Sequence, residues 1–214
     1  LRVALRGKFL SFEGGDGAGK STQIALLFEA LQRTNITPVV PRAPGGTPLS
    51  EDIRNWVLHE TAAISAPTEA LLIFAARAQH TEEVIEPALE AGQWVLCDRY
   101  TDASYAYQGG GRGVPFEVIQ SLEAIATQGL KPDLTFFLDL SVEVGVRRTG
   151  GRSDVQDRFE AEEKEFKARV RSAYQQIAEK NPHRVETLDG DQPKEELCAQ
   201  IKTLVRRRFG VAID

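Results

Sequence analysis

Residues Gly14–Thr22 read GGDGAGKST and directly follow a short apolar run, Phe9–Phe12 (FLSF). The stretch matches the pattern G-x-x-x-x-G-K-S, in which glycines let backbone N–H groups point at phosphate oxygens. A helix that starts near Lys20 adds the positive end of its dipole to the same place. Nine residues are therefore predicted to bind a nucleoside triphosphate: Gly14, Gly15, Asp16, Gly17, Ala18, Gly19, Lys20, Ser21 and Thr22.

Apolar runs of strand type alternate with segments of helical periodicity along the rest of the chain. Such alternation predicts an α/β fold, with a parallel sheet covered by helices on both faces. We find no internal repeat or linker and expect one domain over residues 1–214. The predicted sheet has five strands, near residues 9–12, 38–40, 94–97, 134–138 and 184–188.

Three segments between the predicted strands carry distinct patterns. Apolar spacing predicts a long helical region over Thr68–Ala91, with a bend before Pro87. Leu49, Ile53, Trp56 and Val57 mark another amphipathic helix. The run YAYQGGGRG is rich in glycine and predicts a loop over Tyr105–Gly113.

Composition limits the possible partners and locations of the chain. Its net charge is −5 and its pI is near 5.4, which argues against a general nucleic-acid binder. No apolar run approaches the roughly 18 residues of a membrane span, so we expect no membrane partner. Cys97 and Cys198 are far apart and show no metal-ligand spacing, which favours free thiols and a cytoplasmic protein.

The remaining motifs indicate which kind of phosphate chemistry is expected. The chain has neither the Asn-Lys-x-Asp motif of a GTPase nor the LSGGQ-like signature of a transporter ATPase. It has instead a second set of phosphate-capable residues, Arg54, Arg77 and Arg99, on three different elements. Asp98-Arg99 ends a strand, at the edge where α/β sheets place their sites. Two phosphate sites favour transfer between nucleotides over hydrolysis of one.

Six stretches taken together resemble the thymidylate kinase family of P-loop kinases. The resemblance implies a three-layer P-loop kinase fold, ATP-dependent phosphorylation of dTMP, a Mg²⁺ cofactor and a homodimer. A kinase for another nucleoside monophosphate, and a nucleotide-binding regulatory protein without catalysis, are the alternatives. The stretches are FEGGDGAGKST (12–22), RAPGGTPLSEDIR (42–54), FAARAQH (74–80), VLCDRYTDASYAYQGGGRG (95–113), KPDLTFFLDL (131–140) and DRFE (157–160).

The resemblance also implies roles for individual residues. Lys20, Arg99, Arg152 and Asp16 are implied for catalysis, and Ser21 and Asp98 for the metal. Glu13 either joins this network or is a solvated charge at the strand end. Whether Phe74 or its neighbour Ile73 faces the base is left open by their spacing from Arg77. The dTMP-binding residues implied by the resemblance are Asp16, Arg54, Phe74, Arg77, Arg99, Ser104, Tyr107 and Gln108.

Some family members carry an arginine inside the phosphate-binding loop, where this chain has Gly17. A cation for the transition state must then come from elsewhere, and the resemblance points to a lid at about residues 149–158. Its arginines are Arg148, Arg152 and Arg158, of which Arg152 is favoured as the finger and Arg158 as its support. Ala43 replaces a glutamate that is usual in the family, which weakens any inference about metal-bound water.

Overall fold

The computed structural model describes residues 5–41, 46–59, 63–150 and 157–213. Within these residues the sheet has four strands in the order β2-β1-β3-β4, and every neighbouring pair is parallel. Leu10 lies between Leu96 and Leu134 in the register, so β1 is central. The strands are β1 (Phe9–Glu13), β2 (Val95–Asp98), β3 (Leu134–Asp139) and β4 (Val185–Asp189).

The predicted strand near residues 38–40 is reduced to a single bridge. Val39 pairs with Val95 beyond β2, which is the position of a fifth strand. Its N–H donates to the carbonyl of Trp94 at 2.7 Å, and its carbonyl accepts from Leu96 at 2.9 Å. Pro41 is the next residue that faces β2 and has no N–H, so the ladder cannot extend in that direction. The fold class is confirmed, with four strands instead of five.

Helices cover both faces of this sheet, as the alternating pattern predicts. Wider, π-helical turns occupy Thr81–Ile85, between α3 and α4, and Tyr105–Gly111, directly after α5. The helices are α1 (Lys20–Gln32), α2 (Pro48–His59), α3 (Ala66–His80), α4 (Glu86–Glu90), α5 (Thr101–Ser104), α6 (Phe116–Thr127), α7 (Val142–Thr149), α8 (Lys164–Lys180) and α9 (Lys194–Phe209).

The central strand buries side chains on both faces of the sheet. Leu10 and Phe12 pack with α1 and α9 on one face, while Phe9 packs with α4 and Tyr100 on the other. Alternate residues of a strand point to opposite faces, which explains this division. The result is a three-layer core, and it holds the carboxyl ends of β1 and β2 side by side.

The glycine-rich run after β2 is helical, which corrects the predicted loop. Tyr105–Gly111 forms π-helical turns that pack against α8. A Cβ on Gly110 would lie 2.5 Å from the Cβ of Ala173, and one on Gly111 would lie 2.5 Å from the Phe166 ring. These glycines therefore permit close helix packing, and backbone flexibility is not what selects them.

The long helical region predicted over Thr68–Ala91 is found as α3, its π-helical continuation and α4. In α2, Ile53 and Val57 are buried as the apolar spacing indicates, whereas Leu49 and Trp56 are exposed. None of the described helices combines the length and the apolar character that crossing a bilayer requires.

Candidate functional site

A cavity of about 420 Å³ opens at the carboxyl ends of β1 and β2. Parallel α/β sheets place their ligand sites at this edge. The cavity is lined both by the phosphate-binding loop and by residues of the second predicted set. The predicted site residues along its wall are Asp16, Gly17, Gly19, Lys20, Ser21, Thr22, Arg54, Arg77, Asp98, Arg99, Ser104, Tyr107 and Gln108.

The loop between β1 and α1 holds its lysine in a nearly closed shell of backbone. Lys20 is buried, and its Nζ donates to the carbonyls of Gly14 at 3.2 Å and Gly15 at 3.0 Å. Burial and, next, the charge of Arg99 lower the pKa of Lys20 to about 8. Gly19 precedes α1 in a left-handed conformation and provides no side-chain cap for the first-turn N–H groups. This geometry suits a loop that receives phosphate oxygens.

Gly17 is required at its position by a close contact with α7. Its φ of +79° is strained for other residues, and a Cβ would lie 2.8 Å from the carbonyl oxygen of Gly145. Gly145 in turn has no room for a Cβ, which would lie 2.8 Å from the carbonyl oxygen of Asp16. An arginine in place of Gly17 would therefore displace α7.

Two polar pairs connect the end of β2 to the phosphate-binding loop. Ser21 Oγ donates to Asp98 Oδ2 at 3.2 Å. Arg99 Nη2 donates to Asp16 Oδ1 at 2.6 Å, and Arg99 Nη1 also donates to the carbonyl of Gly14. Arg99 has a φ of +68°, an uncommon conformation for a residue with a side chain. The strained backbone directs the guanidinium across the mouth of the loop.

The carboxylate of Glu13 binds the backbone of this strained turn. Its carboxylate is fully buried and accepts from the Tyr100 N–H at 2.6 Å and the Tyr174 hydroxyl at 2.8 Å. Burial, reinforced by the charge of Asp102, raises the pKa of Glu13 to about 7 from an ordinary value of 4.5. Of the two interpretations left open by the sequence, the solvated charge is wrong, because no part of the residue is exposed.

Glu13→Gln is expected to remove a pH dependence of stability between about pH 5 and pH 7. Because the folded pKa is raised, the native state binds more protons than the unfolded state in this range, and its stability falls as pH rises. The wild-type free energy of unfolding should fall relative to the variant by at most about 3 kcal/mol. Urea unfolding of both proteins at pH 5 and pH 8 measures this difference. Parallel pH profiles would contradict the prediction.

One end of the cavity combines donors, an acceptor and an aromatic ring. Arg77 is buried, and its Nη2 donates to Ser104 Oγ at 3.2 Å. Its Nε is also buried and has no hydrogen-bond partner among the described residues. Tyr107 lies under the guanidinium of Arg99, with its ring centroid 5.1 Å from Cζ. Gln108 completes this end with a buried amide.

Phe74, which the resemblance implied as a dTMP-binding residue, lies in the hydrophobic core instead. Its side chain is buried in a core cluster with Ala70, Val114, Ile119 and Ala126, and it does not line the cavity. Ile73 lines the cavity in its place. Ile73 and Arg77 are four residues apart on α3 and share a face, whereas Phe74 is turned toward α6. Of the two alternatives that the sequence left open, Ile73 faces the site.

The two described arginines of the predicted lid do not line the cavity and are paired with other protein groups. Arg148 donates to the carbonyls of Gly17 and Gly190 and pairs with Asp191 at 2.7 Å. Arg158 donates to the carbonyl of Ile64 and pairs with Glu69 at 3.1 Å. Arg152 and Ala43 lie outside the described residues.

Sequence reasoning missed Glu69 and Arg112, which form a buried ion pair beside Gln108. Arg112 Nε lies 3.1 Å from Glu69 Oε2, and the Glu69 side chain is 0% exposed. A signal was present in the sequence: Glu69, Ile73 and Arg77 are spaced by four, so they follow one face of α3. An acidic residue that shares a face of an apolar helix with Arg77 indicates a polar partner.

Fold and site together define a nucleoside monophosphate kinase of the P-loop class. A family model described as thymidylate kinase matches residues 12–201. The chain is 50% identical over 198 residues to a thymidylate kinase of Alkalilimnicola ehrlichii, covering 92% of this chain and 91% of that one. It is 50% identical over 196 residues to the Chromobacterium violaceum thymidylate kinase, with 92% of each chain covered. This chain belongs to the thymidylate kinase family.

Proposed function

We propose that this protein transfers the γ-phosphoryl group of ATP to the 5′-phosphate of dTMP, giving ADP and dTDP. The main supporting observation is that Lys20 of the phosphate-binding loop and Arg99 at the end of β2 line the same cavity. Arg77 and Gln108 line the same cavity and offer the polar groups that a pyrimidine base requires. Membership of the family supports the same reaction. The whole chain acts as one kinase domain.

The reaction needs positioning and charge neutralisation more than proton transfer. The acceptor is already an anionic phosphate oxygen, so no strong general base is required. Arg99 and Arg54 both line the cavity, and a guanidinium group can hold a phosphate through two hydrogen bonds. Lys20 neutralises the β- and γ-phosphates as charge develops on them. Asp16 holds Arg99 in place and contacts the sugar of dTMP.

Mg²⁺ fits the pair formed by Ser21 and Asp98. A hydroxyl and a carboxylate oxygen lie 3.2 Å apart at the edge of the loop, and both are ligand types that Mg²⁺ prefers. Magnesium usually adds phosphate oxygens and water to one or two protein oxygens. When bound, the ion neutralises charge on the transferring phosphates. Ser21 and Asp98 hold it, directly or through water.

Asp98→Asn should raise the Mg²⁺ concentration needed for half-maximal rate by about 10- to 100-fold, because the site loses its carboxylate charge. Initial rates over a Mg²⁺ titration at fixed ATP measure this change. Asp52→Asn, at an exposed position of α2, is the matched control and should behave like the wild type. A wild-type Mg²⁺ profile for Asp98→Asn would remove Asp98 from the metal site.

The function is tested by ADP release in a coupled assay, with each nucleoside monophosphate offered in turn. We expect the highest kcat/KM with dTMP and lower values with dCMP and the purine monophosphates. ADP release with dTMP that does not exceed the ATP-only background would overturn the proposal. If turnover is highest with a purine monophosphate, the acceptor of this kinase is a purine nucleotide and not dTMP.

The homodimer is proposed from an exposed apolar surface. Three helices that pack side by side, α2, α3 and α6, each expose apolar side chains. Exposed side chains of this size and number are typical of an interface. The most exposed of them are Leu49, Trp56, Leu71 and Ile125.

Trp56→Glu is expected to halve the mass of the protein in light scattering. The residue is 61% exposed, so a charge there disturbs a subunit interface more than the fold of one chain. Leu5→Glu, at a still more exposed residue outside these three helices, is the control and should leave the mass unchanged. A wild-type protein with the mass of one chain would overturn the dimer.

A further inference from the structure

The amide of Gln108 is held by a buried carboxylate that is not part of the cavity wall. Gln108 Nε2 donates to Glu69 Oε1 at 3.0 Å. The Glu69 side chain is 0% exposed, whereas Gln108 lines the cavity. A carboxylate offers only acceptors, so the nitrogen end of the amide must face it. The oxygen end of Gln108 is then the one available to a ligand.

Two arginines hold the Glu69 carboxylate beside Gln108. Arg112 Nε lies 3.3 and 3.1 Å from its two oxygens, and Arg158 Nη1 lies 3.1 Å from Oε2. The contacts from two guanidinium groups hold the carboxylate oxygens in place. An amide in place of this carboxylate could donate as well as accept, and the amide of Gln108 would lose its single orientation.

The fixed amide distinguishes two kinds of pyrimidine. Thymine and uracil carry an N–H at ring position 3, which needs an acceptor, whereas cytosine has a lone pair there. The oxygen of Gln108 accepts no hydrogen bond from the described residues and is free to accept this N–H. Facing cytosine, the same oxygen meets a second acceptor, which leaves both groups unpaired and disfavours binding.

We propose that Glu69 is a positioning residue for base selection, which fixes the Gln108 amide with its oxygen toward the nucleobase and so favours bases with an N3–H over cytosine. This inference rests on the proposed function, since it concerns the acceptor nucleotide of that reaction. Glu69 acts through Gln108 and does not touch the substrate. Its effect should therefore appear in selectivity between bases and not in the chemical step.

The test is the ratio of kcat/KM for dTMP to kcat/KM for dCMP. In Glu69→Gln this ratio should fall by about 10-fold or more, because the amide can turn and present its nitrogen to cytosine. The fall should come from KM, with kcat at saturating dTMP within about 2-fold of wild type. The ratio of dTMP to dUMP should stay unchanged, since both bases carry the N3–H. An equal loss for all three substrates would indicate a merely structural role and would overturn the proposal.

Two further variants separate positioning from general damage. In the Gln108→Leu background, adding Glu69→Gln should change the dTMP to dCMP ratio by less than about 2-fold, because residues that act as one unit are not additive. An independent, multiplying effect would overturn the proposal. Glu162→Gln removes the other carboxylate that pairs with Arg112 and leaves Gln108 untouched, so it is the matched control. It should keep the wild-type ratio.

Failure of folding, and failure of the proposed function, give different results. Should thermal unfolding show that Glu69→Gln is not folded, Glu69→Asp keeps the charge and withdraws the carboxylate by one methylene. In that variant the ratio of kcat/KM for dTMP to that for dCMP should fall to about one third of the wild-type value, and an unchanged ratio would overturn the proposal. A wild-type protein without dTMP turnover refutes the proposed function. A wild-type protein that prefers dTMP, with the preference unaltered in the Glu69 variants, refutes only this inference.

Discussion

We expect Lys20→Met to lower kcat/KM for ATP by about 10³-fold, because a preorganised cation on the transferring phosphates contributes at least as much as one oxyanion donor. Lys20 lies inside the loop, and its Nζ contacts the carbonyls of Gly14 and Gly15. Triphosphate oxygens replace these weak partners with charged ones. Met keeps the length and apolar body of the side chain, so the variant removes the charge with little loss of packing.

Steady-state kinetics with ATP varied at saturating dTMP measure this loss. Lys180→Met, at the exposed end of α8, is the matched control and should match the wild type. The pKa of Lys20, lowered to about 8 by burial, adds a second signature. Wild-type affinity for ATP should weaken above pH 8, where the free protein loses this charge, and the variant should lack that step. A variant with wild-type kcat/KM would place the phosphate cation elsewhere.

Arg152→Ala should lower kcat by about 10³-fold or more, in the range of arginine fingers, with little change in the affinity for dTMP. Gly17 cannot carry the cation, because any side chain there meets the backbone of Gly145 at 2.8 Å. Arg148 and Arg158 are held by Asp191 and Glu69. Arg152 is therefore the lid arginine that we propose for the transition state.

Single-turnover rates at saturating nucleotides separate the chemical step from binding. Arg147→Ala serves as the control, because Arg147 is an exposed residue of the neighbouring helix α7. Its kcat should stay within about 2-fold of the wild-type value. Should Arg152→Ala keep the wild-type kcat and Arg148→Ala or Arg158→Ala lose it, the finger is reassigned to that residue.

The positions of most site residues follow from local sequence patterns. GGDGAGKST between an apolar run and a helical stripe predicts the phosphate-binding stretch of residues 14–22, and the structure has residues 14–19 between β1 and α1 and residues 20–22 in the first turn of α1. Asp98-Arg99 ends a strand and therefore lies at the same edge of the sheet. Such features depend on neighbours along the chain and on the parallel arrangement, so periodicity is sufficient to place them.

Other features depend on contacts between residues that are distant along the chain. The run at 105–111 is helical because its glycines fit against Phe166 and Ala173 of α8, a contact that composition does not reveal. Phe74 and Ile73 have the same local environment in sequence, and only packing against α6 assigns Phe74 to the core.

Short stretches within residues 12–201 therefore determine the phosphate loop, the α/β order and the family, because each pattern implies its own local structure. The orientation of the Gln108 amide does not follow from such a local pattern. It depends on Glu69, 39 positions away, and on Arg112 and Arg158 beside it, all brought together in a buried space. A buried carboxylate must find its partners wherever the fold places them, and so tertiary packing assigns the orientation of that amide.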